Sequence, residues 1–147
     1  KQLISSDFIA MLNDTAEMVC KNKNLSISDK TAATSLCVDP EIVLQVFENL
    51  LSNAARYAKS SISIQYVVEN DTFSITVTDD GSGFDDTTLK SATNPFYTTE
   101  KKYNSGQHLG LGLNICKILC ERHNGSIILS NGITAGASVT VRFGMTE

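Results

Sequence analysis

Apolar residues recur at steps of three and four along residues 7–21, at Phe8, Ile9, Met11, Leu12, Ala16, Val19 and Cys20, behind a candidate cap at Ser6 or Asp7. This spacing predicts a helix with one buried face. Residues 25–27 and 34–38 alternate briefly and predict short strands. The strongest helical pattern covers residues 41–58, where Ile42, Val43, Val46, Phe47, Leu50, Leu51, Ala54 and Ala55 fall on one side. Asp39 precedes Pro40 at its start, and proline suits a first helical position because its missing N–H has no partner there anyway. Residues 62–68 and 73–77 alternate with polar positions and are separated by Glu69, Asn70 and Asp71, the pattern of a hairpin.

After that hairpin, residues 84–109 hold Gly, Pro, Asn, Ser and Thr with little periodicity, and loops of this length are usually functional. Residues 110–123 predict a third helix, ended by Asn124-Gly125 as a left-handed cap. Residues 126–129 and 138–143 predict two last strands joined by a turn around residues 132–136. Helices alternating with paired strands imply an α+β fold, a two-layer α/β sandwich. No repeat or linker divides residues 1–147, so a single domain is expected.

Composition narrows the functional classes. The 12 Lys and Arg against 16 Asp and Glu give a net charge of −4, which argues against nucleic acid as a partner but permits a small anion held by backbone N–H groups. Cys20, Cys37, Cys116 and Cys120 form no CxxC pair and no zinc spacing; Cys116 and Cys120 should share a buried helix face as small hydrophobes. Free thiols fit a reducing compartment. No run approaches the ~18 apolar residues of a membrane span, so direct membrane insertion of this stretch is not expected. The chain starts at Lys1 rather than Met, and is read as a piece of a longer protein.

Three places carry polar or glycine residues that core packing does not require. Asn49, Asn53 and Tyr57 lie four apart on the central helix and project from one face. Two aligned amides could present oxygen to Mg²⁺, although a solvated polar stripe explains the same spacing equally well. Asp79-Asp80-Gly81-Ser82-Gly83 ends a strand; its glycines allow close approach to a flat ligand, and a carboxylate beside them can accept a hydrogen bond from an exocyclic amino group, selecting adenine over guanine. Alone, that pattern also marks any strand-ending turn. Gly110-Leu111-Gly112-Leu113, preceded by Gly106, opens a helix and suits polyphosphate. Neither a P-loop nor a dinucleotide-binding fingerprint is present.

The order of these elements resembles the GHKL ATPase superfamily, specifically the catalytic and ATP-binding domain of bacterial sensor histidine kinases. Residues 47–57, FENLLSNAARY, resemble its N box; residues 79–83 its G1 box; Asn94-Pro95-Phe96-Tyr97-Thr98-Thr99 its F box; and residues 110–113 its G2 box. Asp39-Pro40, residues 121–127 and Gly136-Ala137-Ser138 are similar to its flanks.

The resemblance implies the Bergerat fold, a mixed, mostly antiparallel sheet packed on three helices, with ATP and Mg²⁺ as cofactors and an ATP lid at residues 84–109. It implies Asn49 and Asn53 as catalytic residues, with Asn53 ligating the metal. It also implies that Arg56 lies near the phosphates, Tyr57 packs on the adenine and Asp79 accepts from the adenine amino group. Gly81 and Gly83 would give the base access, Phe96 and Tyr97 would anchor the lid, and Gly110, Leu111, Gly112 and Leu113 would complete the nucleotide site. The implied activity is transfer of the γ-phosphoryl of Mg·ATP to a histidine on a separate dimerisation and phosphoacceptor domain of the same protein. The resemblance further implies a response regulator downstream of that domain, and a place for this stretch in the cytoplasmic part of a membrane-bound receptor.

The pattern departs at Gln107-His108-Leu109, where family members often have another small residue. His108 is not expected to be the phosphoacceptor, because the family's acceptor lies on a helix of a separate domain. His123 is expected to interact with the helix dipole. Superfamily members that hydrolyse ATP alone carry a glutamate four residues before the metal asparagine. Here that position is Asn49, and Glu48 lies about 140° around the helix from Asn53. Little turnover by this domain alone is therefore expected. A stand-alone serine kinase of the anti-sigma-factor type is the rival enzyme, against which Asn49 and the Phe96 box speak; a non-catalytic nucleotide-sensing module is the rival of another class.

Overall fold

The computed structural model describes residues 2–4, 7–32, 35–85, 89, 107–132 and 136–145. Along these the elements run β1 (Gln2–Ile4), α1 (Asp7–Val19), β2 (Asn24–Lys30), β3 (Leu36–Val38), α2 (Pro40–Tyr57), β4 (Ser61–Glu69), β5 (Thr72–Asp79), α3 (Gln107–Arg122), β6 (Ser126–Asn131) and β7 (Ala137–Gly144). The main sheet has five strands in the order β2-β4-β5-β7-β6. Among the described strands only β2 and β4 pair in parallel; β4–β5, β5–β7 and β7–β6 are antiparallel. The expected two-layer sandwich with a mixed, mostly antiparallel sheet is thus the fold found, with three helices described.

Local chemistry explains the main boundaries. Asp39 Oδ1 accepts from Glu41 N (3.1 Å) and Ile42 N (3.3 Å), answering two orphan donors at the start of α2. At its other end, Lys23 Nζ donates to Ala58 O at 2.8 Å. The β4–β5 hairpin closes on Asn70 and Asp71, both left-handed at φ 51° and 58°, a two-residue turn whose twist matches the strands. At the end of α3, Asn124 is left-handed (φ 56°), Gly125 N donates to Cys120 O and Asn124 N to Glu121 O. These two bonds form a Schellman cap. His123 Nδ1 also lies 2.8 Å from Leu119 O in the last turn, the helix-end role expected of it.

The core lies between one sheet face and the helices. Strand alternation turns Ile62, Ile64 and Tyr66 of β4, Phe73, Ile75 and Val77 of β5, and Val139, Val141 and Phe143 of β7 inward. Against them pack Phe8, Leu12 and Ala16 of α1, Val46, Phe47, Leu50 and Leu51 of α2, and Leu113, Cys116 and Cys120 of α3. A row of rings, Phe47–Tyr66–Phe73–Phe143, crosses the sheet beneath α2 with centroids 6.2, 6.4 and 6.4 Å apart. The Tyr66 hydroxyl, buried within this row, donates to Asn13 Oδ1 at 2.7 Å and ties β4 to α1. On the outer face hydroxyls pair across strands, Thr76 with Thr140 and Thr78 with Ser138.

Two expectations differ from the structure. β1 was not foreseen; it pairs antiparallel with β3 in a separate two-stranded sheet, a contact between segments too short to show a period. The third helix begins at Gln107 rather than Gly110, so residues 107–109 belong to α3 and not to the loop expected over 84–109. Gln, His and Leu tolerate a helix better than glycine does, so the helix runs back past the glycines that had marked its start.

Candidate nucleotide-binding site

Asp79 is the centre of the site, because β5 alternation carries its side chain to the same inward face as Phe73, Ile75 and Val77. Its residue is only 8% exposed. Oδ1 accepts from Gly81 N at 2.8 Å and from Ala137 N at 3.3 Å. Burial holds the carboxyl above its ordinary value, partly offset by these two N–H groups, while neighbouring Asp80 adds to the rise.

The backbone around Asp79 admits only glycine at two points. A Cβ on Gly81 would overlap the Tyr57 carbonyl, so the exit of β5 runs directly against the end of α2. Gly136 is left-handed (φ +92°), and a Cβ there would overlap the Asp79 carbonyl. Asp80 turns the other way: Oδ1 accepts from Lys59 N (2.8 Å) and Ser60 N (3.0 Å), and Oδ2 from Ser60 Oγ (2.8 Å). These donors pull its carboxyl far below the ordinary carboxylate range.

A cavity of about 150 Å³ opens beside Asp79. Leu50, Asn53, Ala54 and Tyr57 of α2 form one wall, Val77, Asp79, Ala137 and Val139 of the sheet another, and Ser82, Gly83 and Phe84 the rim. An apolar slot with one carboxylate suits a flat heteroaromatic ligand bearing an amino group. It is similar in size to an engineered cavity of about 150 Å³ that takes benzene.

At the α3 side lie the two amides. Asn49 Oδ1 and Asn53 Nδ2 are 3.8 and 3.9 Å from where a Cβ on Gly112 would sit, so Gly112 leaves room in front of both. Asn53 Nδ2 is buried and makes no hydrogen bond. Asn49 approaches the buried Cys116 thiol as well; burial and the adjacent Cys120 push that thiol up to about 12, while a hydrogen bond from the Asn49 side chain pulls it the other way. The two helical cysteines are fully buried, as their spacing suggests.

The other expected positions fall out as follows. Glu48 is exposed and turned from the cavity, in keeping with its angle on the helix. Arg56 is exposed one position before Tyr57 and does not line the cavity. Leu113 is fully buried in the core rather than facing the cavity, because it continues the apolar face of α3. Gly110 and Leu111 lie within α3, and the side chain of Leu111 is outside the described residues, as are Phe96, Tyr97 and the side chain of His108. One residue that sequence reasoning missed is Asn131 at the end of β6, whose amide bonds both backbone groups of Phe84. Followed by Gly132, it reads from sequence only as part of a turn.

Known proteins resemble this chain in sequence and in fold. Residues 38–147 match the family described as histidine kinase-, DNA gyrase B-, and HSP90-like ATPase. The chain is 32% identical over 124 residues to sensor histidine kinase SpaK of Bacillus subtilis, covering 83% of this chain and 27% of that protein. It is 37% identical over 106 residues to the signal transduction histidine-protein kinase BaeS of Escherichia coli (strain K12), covering 70% and 23% respectively. It therefore spans about a quarter of the length of these relatives. The catalytic domain of histidine kinase ThkA superposes with a TM-score of 0.74 at 20% identity, over 95% of this chain and 90% of that one. With the family matched over most of its length and the fold shared, the chain belongs to the histidine kinase-, DNA gyrase B-, and HSP90-like ATPases, as an ATP-binding catalytic domain of the sensor histidine kinase type.

Proposed function

We propose that this domain binds Mg·ATP and presents its γ-phosphoryl to a histidine on a separate dimerisation and phosphoacceptor domain of the same protein. The observation that carries the reading is the cleft itself, with a buried carboxylate at one end and, at the other, a buried amide nitrogen without a protein hydrogen bond. Asp79 Oδ1 is engaged by two backbone donors, so Oδ2 is the oxygen offered to an adenine amino group; the oxygen of guanine at that place would be repelled. Val77, Val139 and Leu50 exclude water from the base, and Tyr57 flanks it.

The residues at the α3 side fit a magnesium ion. Turning over the Asn53 amide exchanges its unpartnered nitrogen for an oxygen, and Asn49 already points an oxygen toward Gly112. When bound there, the ion neutralises polyphosphate charge, which is most of what phosphoryl transfer asks of a protein besides positioning. Asn53 would ligate it directly and Asn49 would hold it or its water, while Gly112 keeps α3 close enough for backbone contact. Arg56 and the segment bearing Phe96 and Tyr97 would act on the phosphates and lid. Since α2 offers no carboxylate toward the cavity, the domain alone turns over little ATP.

The partners follow from this role: the phosphoacceptor domain directly, and a response regulator through it. Among the described residues no helix is long and apolar enough to cross a membrane. The domain is proposed to work on the cytoplasmic side of a receptor. Joining it to the histidine-bearing hairpin of its own protein and supplying γ-labelled Mg·ATP should label that histidine. A protein that binds ATP yet leaves the histidine unlabelled would instead be a nucleotide-sensing module.

A further inference from the structure

We infer that Asn131 is a positioning residue of the base cavity, holding Phe84 against it from outside by a two-point grip on the Phe84 backbone. The inference rests on the adenine-nucleotide reading above. Asn131 is exposed and does not line the cavity, yet its Oδ1 accepts from Phe84 N at 2.7 Å and its Nδ2 donates to Phe84 O at 2.8 Å. A side-chain amide carries a donor and an acceptor just as a peptide group does, so this pair continues the sheet by one rung where strand pairing has ended.

Phe84 depends on such a hold. β5 ends at Asp79, and Gly83, left-handed at φ +81°, then turns the chain away from the sheet. The space around that turn is closed: a Cβ on Gly83 would meet Asn131 Oδ1 at 2.9 Å and Gly136 O at 3.1 Å. Gly132 N donates to the same Gly136 O at 3.0 Å, and the next residue, Ala137, donates to Asp79 Oδ1. Asn131 and the Asp79 carboxylate are therefore linked through the start of β7. Beyond its own backbone bonds to Asn131, Phe84 is 8% exposed and forms the rim of the cavity. Without the grip its ring is free to swing out, and the base loses a wall; a plain turn residue at position 131 would affect folding but not the base.

A double-mutant cycle separates the two roles, with ADP titrated calorimetrically against the whole chain and thermal melting followed in parallel. Asn131→Ala is expected to weaken ADP roughly tenfold, while in a Phe84→Ala background the same change costs less than about twofold, because no ring remains to be placed. Equal losses in both backgrounds overturn the inference, as does a lowered melting temperature with ADP affinity unchanged. If Asn131→Ala does not fold, Asn131→Asp takes its place in the cycle, since its carboxylate has the same shape and can still accept from Phe84 N but cannot donate to Phe84 O. Absence of ADP binding by the unaltered chain would overturn the nucleotide reading itself, and this inference with it.

Discussion

At the β5 end of the cleft, the protein answers its own polar groups: Asp79 Oδ1 takes two backbone N–H bonds, Asp80 takes Lys59 and Ser60, and Asn131 takes both backbone groups of Phe84. At the α2–α3 end it does not, and Asn53 Nδ2 is buried without a partner beside a glycine that leaves room for something else. The first end is ordered by the protein's own hydrogen bonds, so the base proposed to enter it would meet a fixed acceptor and require little further ordering. The second carries the desolvation cost of a polar group that the described residues leave without a protein partner. On the proposed reading, base selection and the response to magnesium then lie at opposite ends of one cavity.

The largest effect should come from disrupting the ordered end at its backbone. Gly136→Ala puts a Cβ into the Asp79 carbonyl at a left-handed position, and should cost roughly 3 kcal/mol or more of stability, read by urea unfolding. A variant as stable as the parent would show that this end is compliant, not fixed.

Next comes Asp79→Asn, which keeps an oxygen for Gly81 N and Ala137 N but turns a donor toward the base. ADP affinity should fall by about 100-fold, roughly 2.7 kcal/mol, while the free domain becomes no less stable. The pH signs follow from the raised pKa of Asp79. A carboxyl raised by folding contributes stability that is complete below its unfolded value and lost as pH rises through the folded one. The melting temperature of Asp79→Asn relative to the parent should therefore increase with pH across that window. ADP affinity in the parent moves oppositely, failing as pH falls through the same window, because the base needs the ionised acceptor.

Asn53→Leu tests the other end with a smaller effect. Removing an unanswered buried amide should stabilise the free domain by about 1 kcal/mol and abolish the magnesium-dependent part of ADP affinity. A loss of stability would mean that Asn53 is already satisfied, and the contrast between the two ends would disappear.

How much of this was legible from sequence depends on whether a residue acts along a period or across one. The Asp39-Pro40 start of α2, the core face Val46, Phe47, Leu50 and Leu51, and the buried Cys116 and Cys120 all follow from helical spacing. The box order pointed to Asp79 and Asn53 before any geometry, and the alternation Phe73, Ile75, Val77 explains why a carboxylate at 79 faces inward. What failed to show was contact between segments with no period of their own. The β1–β3 pair joins strands of three residues each, and the grip of Asn131 on Phe84 spans 47 positions. The start of α3 was misplaced for a different reason: glycine weakens a helix locally, but Gly110 and Gly112 sit inside one that begins at Gln107.

The smallest effect is expected next to the second largest, at Asp80. Its carboxylate anchors Lys59 N, Ser60 N and Ser60 Oγ, and these donors lower its pKa where burial raises that of Asp79. A depressed carboxyl contributes stability that is present above its unfolded value, ordinarily 3.8, and lost as pH falls through the folded one. Asp80→Asn retains one oxygen for both backbone donors, and the Ser60 hydroxyl can rotate to accept from the new amide, so the melting temperature at neutral pH should drop only slightly. Below pH 3.8 the parent should lose that small advantage. Two adjacent aspartates would then show opposite pH slopes, one serving the ligand and one serving the fold. Melting curves of Asp79→Asn and Asp80→Asn from acid to neutral pH decide the matter. Parallel curves would mean that the two carboxylates share a single role.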